Sequence, residues 1–306
     1  MRIAAIDIGT NSTRLLVADI AGGRIDELFR RSAVTRLGDR VDLTGRLDAG
    51  ACDRVYAVLA EYRDEIARAG ASRVGGVATS AVRDAENGAE FIAEVAGRFG
   101  IEVTAIGGDT EAQLTFAGAN SAGAVGDGDS VVVIDIGGGS TEFIVGHGGE
   151  LDFHVSTHVG AVRQSERFLH SDPPAPDELK ALLAEVTEII RDAVPERWRA
   201  GVTHGIAVAG TATVLASVDQ ALEPFDPWKV HGYRITVEAC GRLLDSLAAL
   251  PLARRRDVTG LHPDRAPTIV AGATIMLAAM RQFDLPAIEV SEHDILYGLA
   301  LRLSRD

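Results

Sequence analysis

Ile3-Ala4-Ala5-Ile6-Asp7-Ile8-Gly9-Thr10-Asn11-Ser12-Thr13 opens the chain, and Ser130-Val131-Val132-Val133-Ile134-Asp135-Ile136-Gly137-Gly138-Gly139-Ser140-Thr141 repeats its plan. In each, a run of β-branched and small apolar residues reads as a buried strand that ends in Asp and breaks at Gly. Aligned without a gap, Asp7-Ile8-Gly9 matches Asp135-Ile136-Gly137, and Ser12-Thr13 matches Ser140-Thr141. Each copy continues into a strand, a Gly-Gly turn (Gly22-Gly23 and Gly148-Gly149) and another strand. A duplicated hairpin predicts two similar α/β domains, 1–122 and 123–306, with the last helix at 293–305 crossing back to the first. Two related domains facing each other would form a cleft, the usual place for a small ligand.

Outward from the first copy, strands are expected at Leu15–Ile20 and up to Ala33. A helix follows over 48–69, a strand at 73–79, a helix at 89–99 and a strand at 102–106. Another helix begins near Asp109, with Asp109 or Thr110 as its N-cap. The stretch 118–128, with Gly123, Gly126 and Gly128, reads as a linker. After the second copy, with strands at 142–146 and 150–157, helices are expected at 160–169, 177–193, 211–218, 236–248, 263–283 and 293–304. A single further strand falls at 204–209.

The 306 residues carry 46% apolar and 24% charged side chains, as an ordinary globular protein does. The formal charge of −14, with no basic run, argues against a nucleic-acid partner. Arg254-Arg255-Arg256, closed by Asp257, reads as a solvated helix end. Any anion site in so acidic a chain must be made locally positive by amides, arginine or metal. Cys52 and Cys240 are the only cysteines and read as buried packing residues in a reducing cytoplasm. No apolar run has the ~20 residues of a membrane helix, and residues 1–8 are too short for a signal peptide.

The chemistry concentrates at four places. The two glycine-rich loops, with Ser12, Thr13, Ser140 and Thr141 as hydroxyl donors, present successive backbone N–H groups suited to phosphate oxygens; one such loop alone could be a simple turn. Asp7, Asp135 and Glu142 stand beside the loops, where carboxylates hold Mg²⁺ or merely cap turns. The segment Ala78–Asn87 reads as a loop whose Arg83 grips phosphate or pairs with Asp84 or Glu86. Glu111 sits in a first helical turn, where Glu is common for dipole reasons alone.

These residues together resemble the Ppx/GppA phosphatase family of exopolyphosphatases and guanosine pentaphosphate phosphohydrolases. The resemblance spans the chain through Asp7–Ser12, Arg36-Leu37-Gly38, Thr79–Arg83, Glu111-Ala112, Asp135–Glu142, Gly160–Arg163, Ala209–Thr213 and Val230-His231-Gly232. It implies two ribonuclease-H-like domains of the actin/sugar-kinase/Hsp70 type. It also implies Glu111 as the base that activates water, Arg83 as a phosphate-binding residue, and Asp135 and Glu142 around Mg²⁺, with Mn²⁺ as the alternative ion; the position of Asp7 at its strand end adds it to the expected metal residues. Phosphate binding then falls to Gly9, Thr10, Asn11, Ser12, Gly137, Gly138, Gly139, Ser140 and Thr141. The expected substrate is inorganic polyphosphate, with pppGpp as the alternative, and monovalent-cation stimulation and a homodimer are family-level expectations. A catalytically weak alarmone sensor and a sugar kinase are rival readings that the Glu111 and Arg83 motifs disfavour. Long members carry extra C-terminal domains; this chain ends at Asp306, so short polyphosphates are expected. Asp294-Ile295-Leu296-Tyr297-Gly298 stands where members often have Gly-Leu-Arg-Glu-Gly, and the 209–213 loop is poor in glycine, which weakens the case for nucleotide binding. His231 is the one histidine inside a motif and is expected to be structural.

Overall fold

The structure, a computed structural model, describes residues 1–121, 129–147 and 149–305. Two compact units make up the chain: Met1–Ala122 with His293–Asp306, and Gly123–Glu292. In chain order the first run contains β1 (Arg2–Ile8), β2 (Ser12–Ala21), β3 (Arg24–Val34), α1 (Val41–Thr44), α2 (Ala49–Ala69), β4 (Arg73–Ala78), α3 (Ser80–Asp84), α4 (Gly88–Phe99), β5 (Val103–Ala105) and α5 (Gly108–Asn120). The second contains β6 (Ser130–Ile136), β7 (Thr141–His147), β8 (Glu150–Thr157), α6 (Ala161–Phe168), α7 (Pro176–Ala193), α8 (Glu196–Arg199), β9 (His204–Val208), α9 (Ala209–Asp219), α10 (Pro227–Val230), β10 (Arg234–Thr236), α11 (Val237–Ala248), α12 (Leu252–Arg255), α13 (Ile269–Gln282) and β11 (Ala287–Val290). The last helix, α14 (Ile295–Arg305), belongs to the first unit.

The first unit is a five-stranded sheet ordered β3-β2-β1-β4-β5. β1 is antiparallel to β2 and parallel to β4. Ala4, Ile6 and Ile8 point to one face, where Val55, Leu59 and Tyr62 of α2 cover them. Ile3 and Ala5 point to the other, under Leu114 of α5 and Ile295, Leu296 and Leu299 of α14. A strand covered on both faces must be apolar at every position, which is why residues 3–8 show no alternation until Asp7. Asp48 caps α2 by accepting from the Ala51 amide, and Gly70 at φ 70° ends it.

The second unit orders its strands β8-β7-β6-β9-β11-β10, so its first five repeat the first unit's order. The duplication seen in one hairpin therefore extends over the whole sheet. Its core centres on α13, in which every residue from Ile269 to Met280 is buried.

Several expectations need correction. The helix expected over 263–283 is a 3-10 turn, Pro263–Arg265, followed by α13 from Ile269, because Pro263 and Pro267 lack the N–H a helix interior uses. β10 and β11, three and four residues long, are too short to show a periodic signal. Gly118–Asn120 continue α5 instead of starting a linker, and α5 is capped at Gly107, with Asp109 and Glu111 in its first turn. The segment after β4 is helical from Ser80 to Asp84. Residues 122–128, with Gly123, Gly126 and Gly128, and Gly148 of the expected turn lie outside the described residues.

Arg254 and Arg256 are exposed at the end of α12, as expected of a solvated helix end, but Arg255 between them is not. Arg255 is 4% exposed, and its guanidinium donates to the carbonyls of Leu247 (2.8 Å), Leu250 (2.7 Å) and Ala266 (3.2 Å). Burial lowers its pKa from the usual arginine value. It sits beyond the end of α11 and adds a donor to the Leu247 carbonyl, which also accepts from the Leu250 amide at 3.4 Å, and to the carbonyls of Leu250 and Ala266. Arg255→Met keeps the volume but removes the side-chain donor from all three carbonyls, leaving Leu247 O its backbone bond, so a loss of about 2 kcal/mol in denaturant unfolding is expected. A loss under about 0.5 kcal/mol would show that water replaces the guanidinium.

Candidate active site

In the first unit, loop 1 (residues 9–11) joins β1 to β2. The Gly9 amide donates to the Ser12 carbonyl at 2.9 Å and closes the turn. The segment after β3 holds the loop from outside: Gly38 N donates to Thr10 O at 2.8 Å, and Thr35 and Arg36 both donate to Asn11 O. A Cβ at Gly38 would fall 2.2 Å from Thr10 Cγ2, so a larger residue there would have to turn the Thr10 side chain that meets Ser80. The Thr10 and Asn11 carbonyls are thus committed, while among the described residues of this unit no carbonyl accepts from the Thr10 or Asn11 amides. That is the polarity of an anion nest.

α3 connects this loop to the charged pair. Its N-cap residue Thr79 donates from its amide to Ile8 O, and Ser80 Oγ lies 3.0 Å from Thr10 Oγ1. At its other end Arg83 donates to Asp84 Oδ1 at 2.9 Å and to Ile106 O at 3.2 Å, and its Nη1 stands 3.8 Å from Glu111 Oε2. Arg83 therefore pairs with Asp84, as the plain surface reading had it, and at the same time meets Glu111. Glu86 pairs instead with Arg46. Glu111, half-buried in the first turn of α5, is brought beside Arg83 from a different element.

Asp7 is 3% exposed. Its Oδ2 accepts from Arg14 Nε at 2.9 Å and Nη2 at 2.6 Å, while its Oδ1 is buried without a hydrogen-bond partner. Burial pushes the Asp7 carboxyl up, against the opposing pull of Arg14. Arg14 also binds Asp294.

In the second unit, loop 2 repeats the turn: Gly137 N donates to Ser140 O at 3.0 Å. Its carbonyls are held by the start of α6, with Ala161 N on Gly137 O and Val162 and Arg163 N on Gly138 O. Arg163 Nε adds a bond to Gly139 O at 3.0 Å. Among the described residues of this unit, no carbonyl accepts from the amides of Gly138 and Gly139. Thr13 and Thr141, read from the sequence as phosphate donors, are fully buried and spent inside their units. Thr13 Oγ1 shares a bond with Thr35, and Thr141 Oγ1 donates to Val159 O. The hydroxyls left at the loops are those of Ser12 and Ser140.

Asp135 and Glu142 are direct cross-strand partners on β6 and β7. Glu142 Oε1 accepts from Ser156 Oγ at 2.7 Å. Two carboxylates opposite each other repel, and a hard divalent cation removes that repulsion. Among the described residues no group of three or more His, Cys, Asp or Glu is placed to hold a metal. The equivalent register in the first unit is Asp7 with Arg14, so that pair neutralises itself. The residues that fit a cation are thus Asp135 and Glu142. Arg14 was the signal the sequence reading passed over: it aligns with Glu142 in the same ungapped match that pairs Asp7 with Asp135.

His231 accepts through Nδ1 from the Glu292 amide at 3.3 Å, a structural contact. Among the described residues, no helix is long and apolar enough to cross a membrane.

A family model described as Ppx/GppA phosphatase family matches residues 16–303. An exopolyphosphatase 2 of Mycobacterium tuberculosis is 36% identical over 99% of this chain and 98% of its own length. A solved Aquifex aeolicus Ppx/GppA family member matches with TM-score 0.86 and 32% identity, covering 99% of this chain and 97% of that one. A solved exopolyphosphatase from Cytophaga hutchinsonii matches with TM-score 0.88 and 28% identity over 100% and 98% of the two chains.

Proposed function

The chain belongs to the Ppx/GppA phosphatase family, and from that premise we propose that it is an exopolyphosphatase, releasing orthophosphate from the end of inorganic polyphosphate. Its fold is two α/β units of the ribonuclease-H-like, actin/sugar-kinase/Hsp70 type. The observation that carries the proposal is the meeting of Glu111 and Arg83 at 3.8 Å, with Arg83 on a helix tied to loop 1 through Ser80 and Thr10.

In this reading the Thr10 and Asn11 amides bind oxygens of the terminal phosphoryl group, and the Gly138 and Gly139 amides offer the same donors in the second unit. Arg83 neutralises phosphoryl charge and fixes orientation. Glu111 accepts a proton from water as the water oxygen bonds to phosphorus. The phosphoanhydride P–O bond breaks, and the shortened chain leaves with the electron pair. Stabilising charge on the transferring group is the main work of such a site, and donors already in place do it without reorganising. In the second unit, Asp135 and Glu142 would hold a divalent cation, Mg²⁺ or Mn²⁺, which supplies positive charge for phosphate oxygens when bound.

The test is phosphate release from tripolyphosphate, longer polyphosphates and pppGpp, each with and without Mg²⁺. Release from polyphosphate that needs the metal is the expected result. Release from pppGpp alone would move the assignment to the alarmone, and tight binding of pppGpp with no release from any substrate would make the chain a sensor.

A further inference from the structure

We propose that Arg14 is a positioning residue: by bridging Asp7 and Asp294 it fixes α14, and through α14 it sets where α5 holds Glu111. The proposal rests on the reading of Glu111 as the base.

The hairpin itself does not need Arg14. In the second unit the same turn, register and strand order form around Asp135 and Glu142, with a carboxylate where Arg14 stands. Its purpose lies in its second partner. Nε and Nη2 hold Asp7 Oδ2 beneath loop 1, and Nη1 holds Asp294 Oδ2. Asp294 is 6% exposed and heads α14, its Oδ1 accepting from the Leu296 amide at 3.0 Å and its carbonyl from the Tyr297 and Gly298 amides. A planar guanidinium can serve both carboxylates at once, whereas an ammonium is a point charge.

From Asp294 the coupling is steric. α14 and α5 meet backbone to backbone at two glycines. A Cβ on Gly118 would lie 1.9 Å from Asp294 O, and one on Gly298 would lie 1.9 Å from Leu114 O. No side chain cushions either contact, so α5 cannot slide without moving α14. Leu114 is one helical turn beyond Glu111. The link from loop 1 to the base thus runs through Asp7, Arg14, Asp294, the glycine contact and α5, entirely inside one unit.

The experiment uses Arg14→Lys and Asp294→Asn, each alone and combined with Glu111→Gln, with kcat and KM on tripolyphosphate and hydrogen exchange of α5 and α2. Asn at 294 keeps a capping side chain while removing the charge. In the parent, kcat should fall about 30-fold, within what an ångström-scale misplacement costs, with KM within about threefold. Exchange should rise in α5 and stay unchanged in α2, which packs on the other sheet face. In the Glu111→Gln background the added loss should shrink below about threefold, since residues acting as one unit are non-additive. An equal loss in both backgrounds, an unchanged kcat, or unchanged α5 exchange would overturn the proposal. Should Arg14→Lys fail to fold, Asp294→Asn carries the same readouts. Should Glu111→Gln alone cost nothing, the base reading falls, and α5 exchange still decides whether Arg14 fixes that helix.

Discussion

Glu111→Gln is expected to lower kcat on polyphosphate by about 10²–10⁴-fold, the usual contribution of a positioned general base. Glutamine has the same shape but cannot take a proton from water. The fold has little reason to object. The Glu111 amide still donates to Gly107 O, and Arg83 keeps Asp84 and the Ile106 carbonyl. Loss of a first-turn charge costs the helix only about 0.3–1 kcal/mol. KM should hold or fall slightly, because removing a carboxylate eases the approach of a polyanion to a chain of net charge −14. Single-turnover phosphate release, with polyphosphate binding measured separately, reads both quantities. A structural Glu111 would give the opposite pattern, with unfolding at lower denaturant and unchanged turnover in the folded protein.

Much of this site was legible because its parts repeat. Asp7 and Asp135, the two glycine turns and the paired hairpins could be aligned by eye, and the element boundaries around them fell where Gly and Asp placed them. Arg83 and Glu111 were legible only through the family resemblance. One ends a single-turn helix and the other begins a separate helix, and nothing in their spacing says that their side chains approach to 3.8 Å. Arg255 misled because three adjacent arginines look alike in a sequence. Which of them turns inward depends on carbonyls contributed by Leu247, Leu250 and Ala266. The Thr hydroxyls misled for a related reason. Ser12-Thr13 and Ser140-Thr141 read as two donors each, but side chains alternate across a strand, and the second residue of each pair turns into its own unit. Short strands such as β10 leave no pattern to read.

Gly160→Ala is expected to lower kcat/KM by about 100-fold, although residue 160 bears no functional group. Gly160 lies where the start of α6 crosses loop 2. A Cβ there would fall 2.3 Å from Gly138 O, 2.4 Å from Gly138 C and 2.4 Å from Gly139 C. All three are backbone atoms, so no rotamer change can make room, and the loop itself must move. That loop is also tied to α6 by the Ala161, Val162 and Arg163 amides, so the displacement passes to the Gly138 and Gly139 N–H groups. Donors aimed at a developing charge lose about 10²–10³-fold in rate when one is removed, and a shift of about an ångström is a comparable injury. Asp135 and Glu142 sit on β6 and β7 beyond the turn, so Mg²⁺ or Mn²⁺ affinity should change far less than turnover. Gly97→Ala is the control: on α4 its Cβ meets nothing within 4 Å, so it should stabilise the helix by about 0.5–1 kcal/mol and leave activity alone. Equal activity in the Gly160→Ala protein would mean that the loop 2 amides do not act on the substrate, and the phosphate contacts would then have to be assigned to the first unit.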